Sequence, residues 1–175
     1  MRRLQTVTEL ASPFDPSTNL EALSRGRPDI ACRPASTNLE KTICAQLRHE
    51  VFVVEQEIFA ETDLDAHDRE AHTIHLVADV AGVAGGTVRI YPLDRAGLWK
   101  GDRLAVAPAL RRMVVGKRLV QTAVRTAGEL GGVEMIATVQ VPNTRFFEHL
   151  GWRCDGGPTL SYDLPHQLMR IDLTR

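Results

Sequence analysis

In the stretch Arg103 to Val120, RLAVAPALRRMVVGKRLV, four cations, Arg111, Arg112, Lys117 and Arg118, surround a single glycine, Gly116. The order is an apolar strand pattern, a basic turn, then a helix. The first N–H groups of a helix have no internal partner, and the helix dipole adds partial positive charge there. An anion the size of a pyrophosphate would suit such an end. Gly116 permits close backbone approach. Two residues earlier, where a second glycine would ease the turn, stands Val114. A β-branched residue does not easily hold φ > 0, so Val114 is expected at negative φ with its side chain away from a ligand. The plainer alternative is a basic, solvated helix start.

A second concentration of reactive side chains is DLDAHDREAHTIH, with Asp63, Asp65, His67, Asp68, His72 and His75. It does not fit an EF-hand, because Asp68 stands where the sharp turn needs glycine, and it lacks HExxH. It reads as a solvated acidic loop, and no metal is expected. Arg48 and Arg89 could bind a substrate carboxylate; ion pairs with Glu55 or an aspartate are the alternative. His75 reads as a half-buried histidine rather than a base.

The elements that must position these groups are legible in part. Residues 1–28 are rich in Ser, Pro and charge and read as an arm, flexible or packed on a partner; the folded domain is then 29–175. Asp29 to Ser36 looks like a strand. Thr37 and Glu40 form a capping box pattern, and Leu39, Ile43, Leu47 and Val51 mark one helix face. VFVVEQEIF continues that helix or starts a second one, and ETDLDAHDREAH is a loop. Thr73 to Val80 and VAGGTVRIYPL make a hairpin turning at Ala81-Gly82. AGLWKGD reads as a loop and RLAVAP as a strand stopped by Pro108. GKRLVQTAVRTAGELGG is the clearest helix, with Leu119, Val120, Ala123, Val124, Ala127 and Leu130 as its apolar stripe. VEMIATVQ is a strand, a short helix opens at Pro142-Asn143, and two strand-like pieces follow near WRCDGG and QLMRIDL. This order gives an α/β fold, a mixed sheet with helices on its faces.

Composition narrows the function classes. A chain of 175 residues, 43% hydrophobic, can bury a core. A net charge of −1 argues against non-specific binding to nucleic acid or an anionic membrane. Three cysteines without a CxxC give neither a disulfide framework nor a zinc site. No apolar run is long enough to span a bilayer, and the N-terminus lacks a signal-peptide apolar block, so a cytoplasmic location is expected.

The segment Arg111 to Gly116 resembles the acyl-CoA loop of the GCN5-related N-acetyltransferases (GNAT), Gln/Arg-x-x-Gly-x-Gly/Ala, with Arg111, Val114 and Gly116 at the three marked positions. RHEVFVVEQEIFAETDLDAHD followed by HLVADV resembles the first part of a branch that includes ElaA-like acetyltransferases. VQVPNTRFFEHLGW resembles the family's last shared motif, and PHQLM that branch's final strand. The similarity spans Leu39 to Leu173. GLWKGDRLAV, VQVPN and PHQLM together also resemble a bacterial subgroup encoded near nitrilases.

The resemblance implies a single-domain, mostly antiparallel central sheet with helices on both faces, and direct acyl transfer from acetyl-CoA to a small-molecule amine. Leu104, Ala105 and Val106 would run beside the pantetheine arm. Arg111, Arg112, Met113, Val114, Val115, Gly116 and Lys117 would surround the pyrophosphate, and Asn143 and Phe147 would approach the pantetheine; a plain helix cap is the other reading of Asn143. A backbone N–H near Val106 could serve the oxyanion. Glu55, past the first helix, could draw a cationic amine and take its proton, with Asp102 a second candidate base. Phe147 stands where many relatives carry a tyrosine acid, so thiolate protonation falls to solvent or another group; Tyr162 is the candidate, Tyr91 being the other tyrosine. Phe52, Arg48, Glu55 and Arg89 are the expected acceptor-site residues. Neither nucleic acid nor membrane is expected as partner, and a homodimer is an admissible assembly. Two other readings stay open: an acyl-homoserine-lactone-synthase-like enzyme with a longer acyl donor, which shares R-x-x-V-F followed by spaced aspartates, and a non-catalytic acyl-CoA-binding module.

Overall fold

The computed structural model describes residues 28–174. The expected N-terminal arm, but for its last residue, lies outside the described residues. The first strand, β1 (Ile30–Pro34), leads into α1 (Asn38–His49) through the capping box read from the sequence. Thr37 Oγ1 accepts from the Glu40 N–H at 3.1 Å, and the Glu40 carboxylate accepts from the Thr37 N–H at 3.1 Å. The helix does not stop at His49. It widens into a π-helical turn over Glu50–Glu55, so VFVVE continues α1 with altered pitch. Such turns are rare and occur often at functional sites.

The sheet has eight strands. After β1 come β2 (Ile74–Val80), β3 (Val83–Pro92), β4 (Leu98–Val106), β5 (Glu134–Gln140), β6 (Arg153–Cys154), β7 (Thr159–Ser161) and β8 (Leu164–Asp172). Their spatial order is β1-β2-β3-β4-β5-β8-β6, with β7 also on β8. Every pair is antiparallel except β4 and β5. The β2–β3 hairpin turns at Ala81 (φ 51°) and Gly82 (φ 88°), as expected from the Ala-Gly pair.

Two sequence expectations change here. AGLWKGD is not all loop: Leu98 to Asp102 belong to β4, pairing with β3 on one side and with β5 on the other. Lys100-Gly101 looks like a break in sequence, but Gly101 pairs with Ile90 of β3 on one side and Ala137 of β5 on the other. β7 went unread because three residues carry no period.

Helix α2 (Val115–Glu129) covers one face of the sheet. Leu119, Val120, Ala123 and Ala127 are buried against Val88, Ile90, Trp99 and Met135. Each large side chain so buried contributes roughly 1.5–3 kcal/mol. Leu130, expected on the stripe, is the C-cap and more than half exposed. Gly86 lets α2 approach β3: a Cβ there would lie 3.0 Å from the Ala105 carbonyl and from Leu119 Cδ1. The short helix α3 (Thr144–Glu148) follows β5.

Candidate functional site

The parallel pairing of β4 with β5 runs only from Leu98↔Glu134 to Gly101↔Ala137. Both strands continue, to Val106 and Gln140, without pairing further. The cause lies in β4. Its register against β3 shifts by one residue between Thr87↔Ala105 and Arg89↔Asp102, and Arg103 within the shift has φ 53°. Such a bulge bends its strand where the pairing ends. The gap is a cleft of about 250 Å³, lined by Lys100 to Leu104 from β4 and Ala137 to Gln140 from β5.

The cleft passes between two walls. On the α2 side stand Val120, Ala123, Met135, Phe147 and Trp152. Phe147 packs edge-on to Trp152, ring centres 5.4 Å apart. On the α1 side stand Phe52 of the π turn, Ile58, Phe59, Tyr162 and His166. Tyr162 meets Phe59 at 4.8 Å and Phe59 meets Phe52 at 6.5 Å. Tyr162 and Asp163 turn the β7–β8 hairpin, both at positive φ (51° and 58°). That conformation is strained for residues other than glycine, Asn and Asp, and holds the tyrosine ring over Phe59.

Beyond Val106 the chain makes a short turn and enters α2. Val114, the N-cap, sits at φ −79° with its side chain half exposed, as the β-branched residue requires. Its side chain caps nothing, and the N–H groups of Val114, Val115, Gly116 and Lys117 have no acceptor among the described residues. They form an open row of donors, with Arg111, Arg112 and Lys117 exposed around it. Gly116 is helical rather than left-handed, so its small size, not its φ, is what matters. The Val115 and Ala105 side chains are buried in the core. The Ala107 N–H donates to Gly85 O, which fixes the phase of β4: Ala105 turns its amide groups to β3, and Val106 turns its own away. The Val106 carbonyl accepts from Arg111 Nε at 3.1 Å.

Glu55 does not reach into the cleft. Both its oxygens accept from the Arg111 guanidinium, one at 2.5 Å. The Arg111 hydrogen bond holds the carboxyl below the usual range despite some opposing desolvation. The expected base is therefore a clamp on the loop arginine.

Arg48 and Arg89 make the ion pairs with aspartates that were the alternative to binding a substrate carboxylate. Both are fully buried. Arg48 binds Asp63 at 2.6 Å and Asp68 at 2.6 Å; Arg89 binds Asp65, Asp68 and Asp102 at 2.6, 2.7 and 2.8 Å. Arg103 adds bonds to Asp63 and Asp65. Thus the acidic loop, which includes a 3-10 turn at Ala66–Arg69, is pinned by arginines rather than solvated. Burial pushes the Asp68 carboxyl up, but the Arg48 hydrogen bond and its neighbours outweigh that and hold it far below the usual range. Asp102 lines the cleft, yet its oxygens accept from Arg89 and from the Tyr91 hydroxyl at 3.0 Å. His75, expected half-buried, is buried, with no partner for Nδ1 among the described residues; burial, then Arg48, lowers its pKa.

The fold thus gathers Phe52, Asp102, Leu104, Asn143, Phe147 and Tyr162 around one cleft and sets Arg111 to Lys117 beside its open end. Asn143, the N-cap of α3, makes no side-chain cap bond, so its amide is free. Met113 is half-buried against the core. Sequence reading missed Lys100, Thr138, Gln140 and His166 of the lining.

A family model described as acetyltransferase (GNAT) family matches residues 41–152. Solved structures share the fold. Escherichia coli ElaA is 22% identical, covers 81% of this chain and 99% of its own, and superposes with a TM-score of 0.73. An acyl-CoA N-acyltransferase from Pseudomonas aeruginosa is 27% identical over 82% of this chain and 98% of its own, TM-score 0.70. A CoA-dependent acyl-homoserine lactone synthase, solved with SAM and isopentyl-CoA, is 18% identical over 78% and 76%, TM-score 0.66.

Proposed function

The chain belongs to the acetyltransferase (GNAT) family, a family of acyltransferases, and from that premise we propose that it transfers an acetyl group from acetyl-CoA to a small amine by direct attack. One observation carries the reading: β4 and β5 part after Gly101 and Ala137, and the cleft between them opens beside an uncapped, basic helix end. The free N–H row from Val114 to Lys117, with Arg112 and Lys117, suits the pyrophosphate of CoA. The outward amide groups of Val106 suit hydrogen bonds to an extended amide chain such as pantetheine. For that, Arg111 must release the Val106 carbonyl, and its guanidinium is then free for phosphate.

A longer acyl donor is the second reading, favoured by the apolar wall of Val120, Ala123, Met135, Phe147 and Trp152. Calorimetry tests both. Acetyl-CoA should bind, and Gly116→Glu should abolish binding by placing bulk and negative charge at the donor row. A Cβ at Gly116 meets only Phe146 at 3.6 Å and Val106 at 3.7 Å, so the variant should fold. Unchanged affinity in the variant removes the site. Hexanoyl-CoA binding tenfold or more tighter than acetyl-CoA would move the assignment to the longer donor.

A further inference from the structure

The α1-side wall of the cleft holds a group that no expectation had used. His166 stands on β8 opposite Gln140 of β5 and is 8% exposed. Its Nδ1 lies 2.9 Å from the Leu164 carbonyl. A carbonyl only accepts, so Nδ1 carries the proton and, in the neutral ring, Nε2 carries the lone pair. Nε2 has no partner among the described residues, and the residue lines the cleft. This is the arrangement in which a backbone acceptor orients an imidazole to take a proton.

Two of the other charged groups facing the cleft are committed elsewhere. Asp102 is held by Arg89 and Tyr91, and Arg103 by Asp63 and Asp65. Lys100 is a cation without an ion-pair partner among the described residues. Tyr162 is the remaining titratable group of the lining, and Phe52, Ile58, Phe59, Thr138, Gln140 and Ser161 are neutral. Among the described residues that line the cleft, no carboxylate is left free for a cationic acceptor. An ammonium must therefore lose its proton as it enters, and a polycation meets Lys100 uncompensated.

Resting on the acyltransfer reading above, we propose that this wall is the acceptor site, that it takes a monoamine carried on an apolar or aromatic body, and that His166 Nε2 removes the proton. Phe52, Ile58, Phe59 and Tyr162 would bury the body of the acceptor. The ammonium gives one proton to Nε2. The freed nitrogen attacks the thioester carbonyl carbon, the N–C bond forms and the C–S bond breaks. The nitrogen's second proton ends on the departing thiolate, giving amide and free thiol, and His166 passes its proton to solvent.

The test uses full-length protein with acetyl-CoA, phenethylamine and spermidine. His166→Asn keeps the donor that faces the Leu164 carbonyl and removes Nε2. CoA affinity by calorimetry should be unchanged, which also reports that the variant is folded. With phenethylamine, kcat/KM should fall by roughly 10²–10⁴. The wild-type pH–rate profile should differ from the variant's on the acid side. The variant's rate should keep rising with pH through the ionisation of the amine itself. His166→Gln, which cannot reach Leu164 in the same way, serves as second variant if Asn lowers CoA affinity. Phenethylamine should exceed spermidine by tenfold or more in kcat/KM. Activity within threefold of wild type in a CoA-binding variant, or an unchanged pH profile, overturns the base. Preference for spermidine overturns the acceptor class. Wild-type protein that binds acetyl-CoA but acylates no amine overturns the acyltransfer reading and this inference with it.

Discussion

At the scale of single residues, pairing decides what each charged group can do. Glu55 is a candidate base in the sequence, and Arg48 and Arg89 are candidates for either a substrate carboxylate or an ion pair; all three are bound to partners. The partners lie far away in sequence, Arg111 being 56 residues from Glu55, which is why spacing alone could not reveal them. Asp102, within a segment that reads as a loop, lies on the cleft strand, and Arg89 occupies its oxygens. His166 escaped notice because one histidine in a strand gives no pattern, and only the fold shows that it faces a cleft. If Glu55 clamps Arg111 rather than serving as base, Glu55→Gln should keep kcat within about threefold of wild type, well short of the 10²–10⁴ that general-base loss costs. Its acetyl-CoA affinity should hold or improve, because Arg111 is released. Steady-state kinetics and calorimetry read both; a hundredfold loss of kcat would return the proton-transfer role to Glu55.

At the scale of elements, the helices were more legible than the splayed strands. The capping box, the α2 stripe and the Ala81-Gly82 turn follow from local rules, and they form. The π turn after α1 and the bulge at Arg103 do not, because a one-residue shift in pitch or register leaves no periodic trace. Yet that bulge coincides with the end of β4–β5 pairing and so with the cleft itself. The loop before α2 was read as an anion site with an unusual valine, and Val114 sits at φ −79°, a conformation open to any residue. Val114→Gly should therefore leave acetyl-CoA affinity equal or better, measured by calorimetry. A marked loss would mean that the valine side chain contacts the ligand. Where the cap is concerned, Thr37→Ala should destabilise by about 1 kcal/mol in urea titrations, since Thr37 Oγ1 satisfies the Glu40 N–H.

At the scale of the whole molecule, the buried Arg–Asp network ties α1, the acidic loop, β3 and β4 into one body on the side of the sheet opposite α2. Removing one partner leaves a buried charge uncompensated, so Asp68→Ala should cost about 3–5 kcal/mol, read as a lower urea midpoint. Acid should act on these bonds and on the exposed Glu40 pair at the start of α1. Asp65, Asp68 and Glu40 have depressed folded pKa values; for Glu40 the Arg33 hydrogen bond, then Ser36, brings it to about 2. Their contribution is present above the unfolded value, about 4, and is lost as pH falls toward the folded values. The melting temperature should thus be flat above about pH 5 and fall steeply below about pH 4; a curve flat to pH 2 would contradict the network. The central claim is that the cleft joins an acyl-CoA to an amine. Its most direct measurement is amine-dependent release of free CoA thiol from acetyl-CoA, with the product weighed by mass spectrometry. Thiol release should rise with phenethylamine, and the product should be heavier than the amine by one acetyl group. Thiol release independent of any amine, or none over a broad panel despite bound acetyl-CoA, would contradict it.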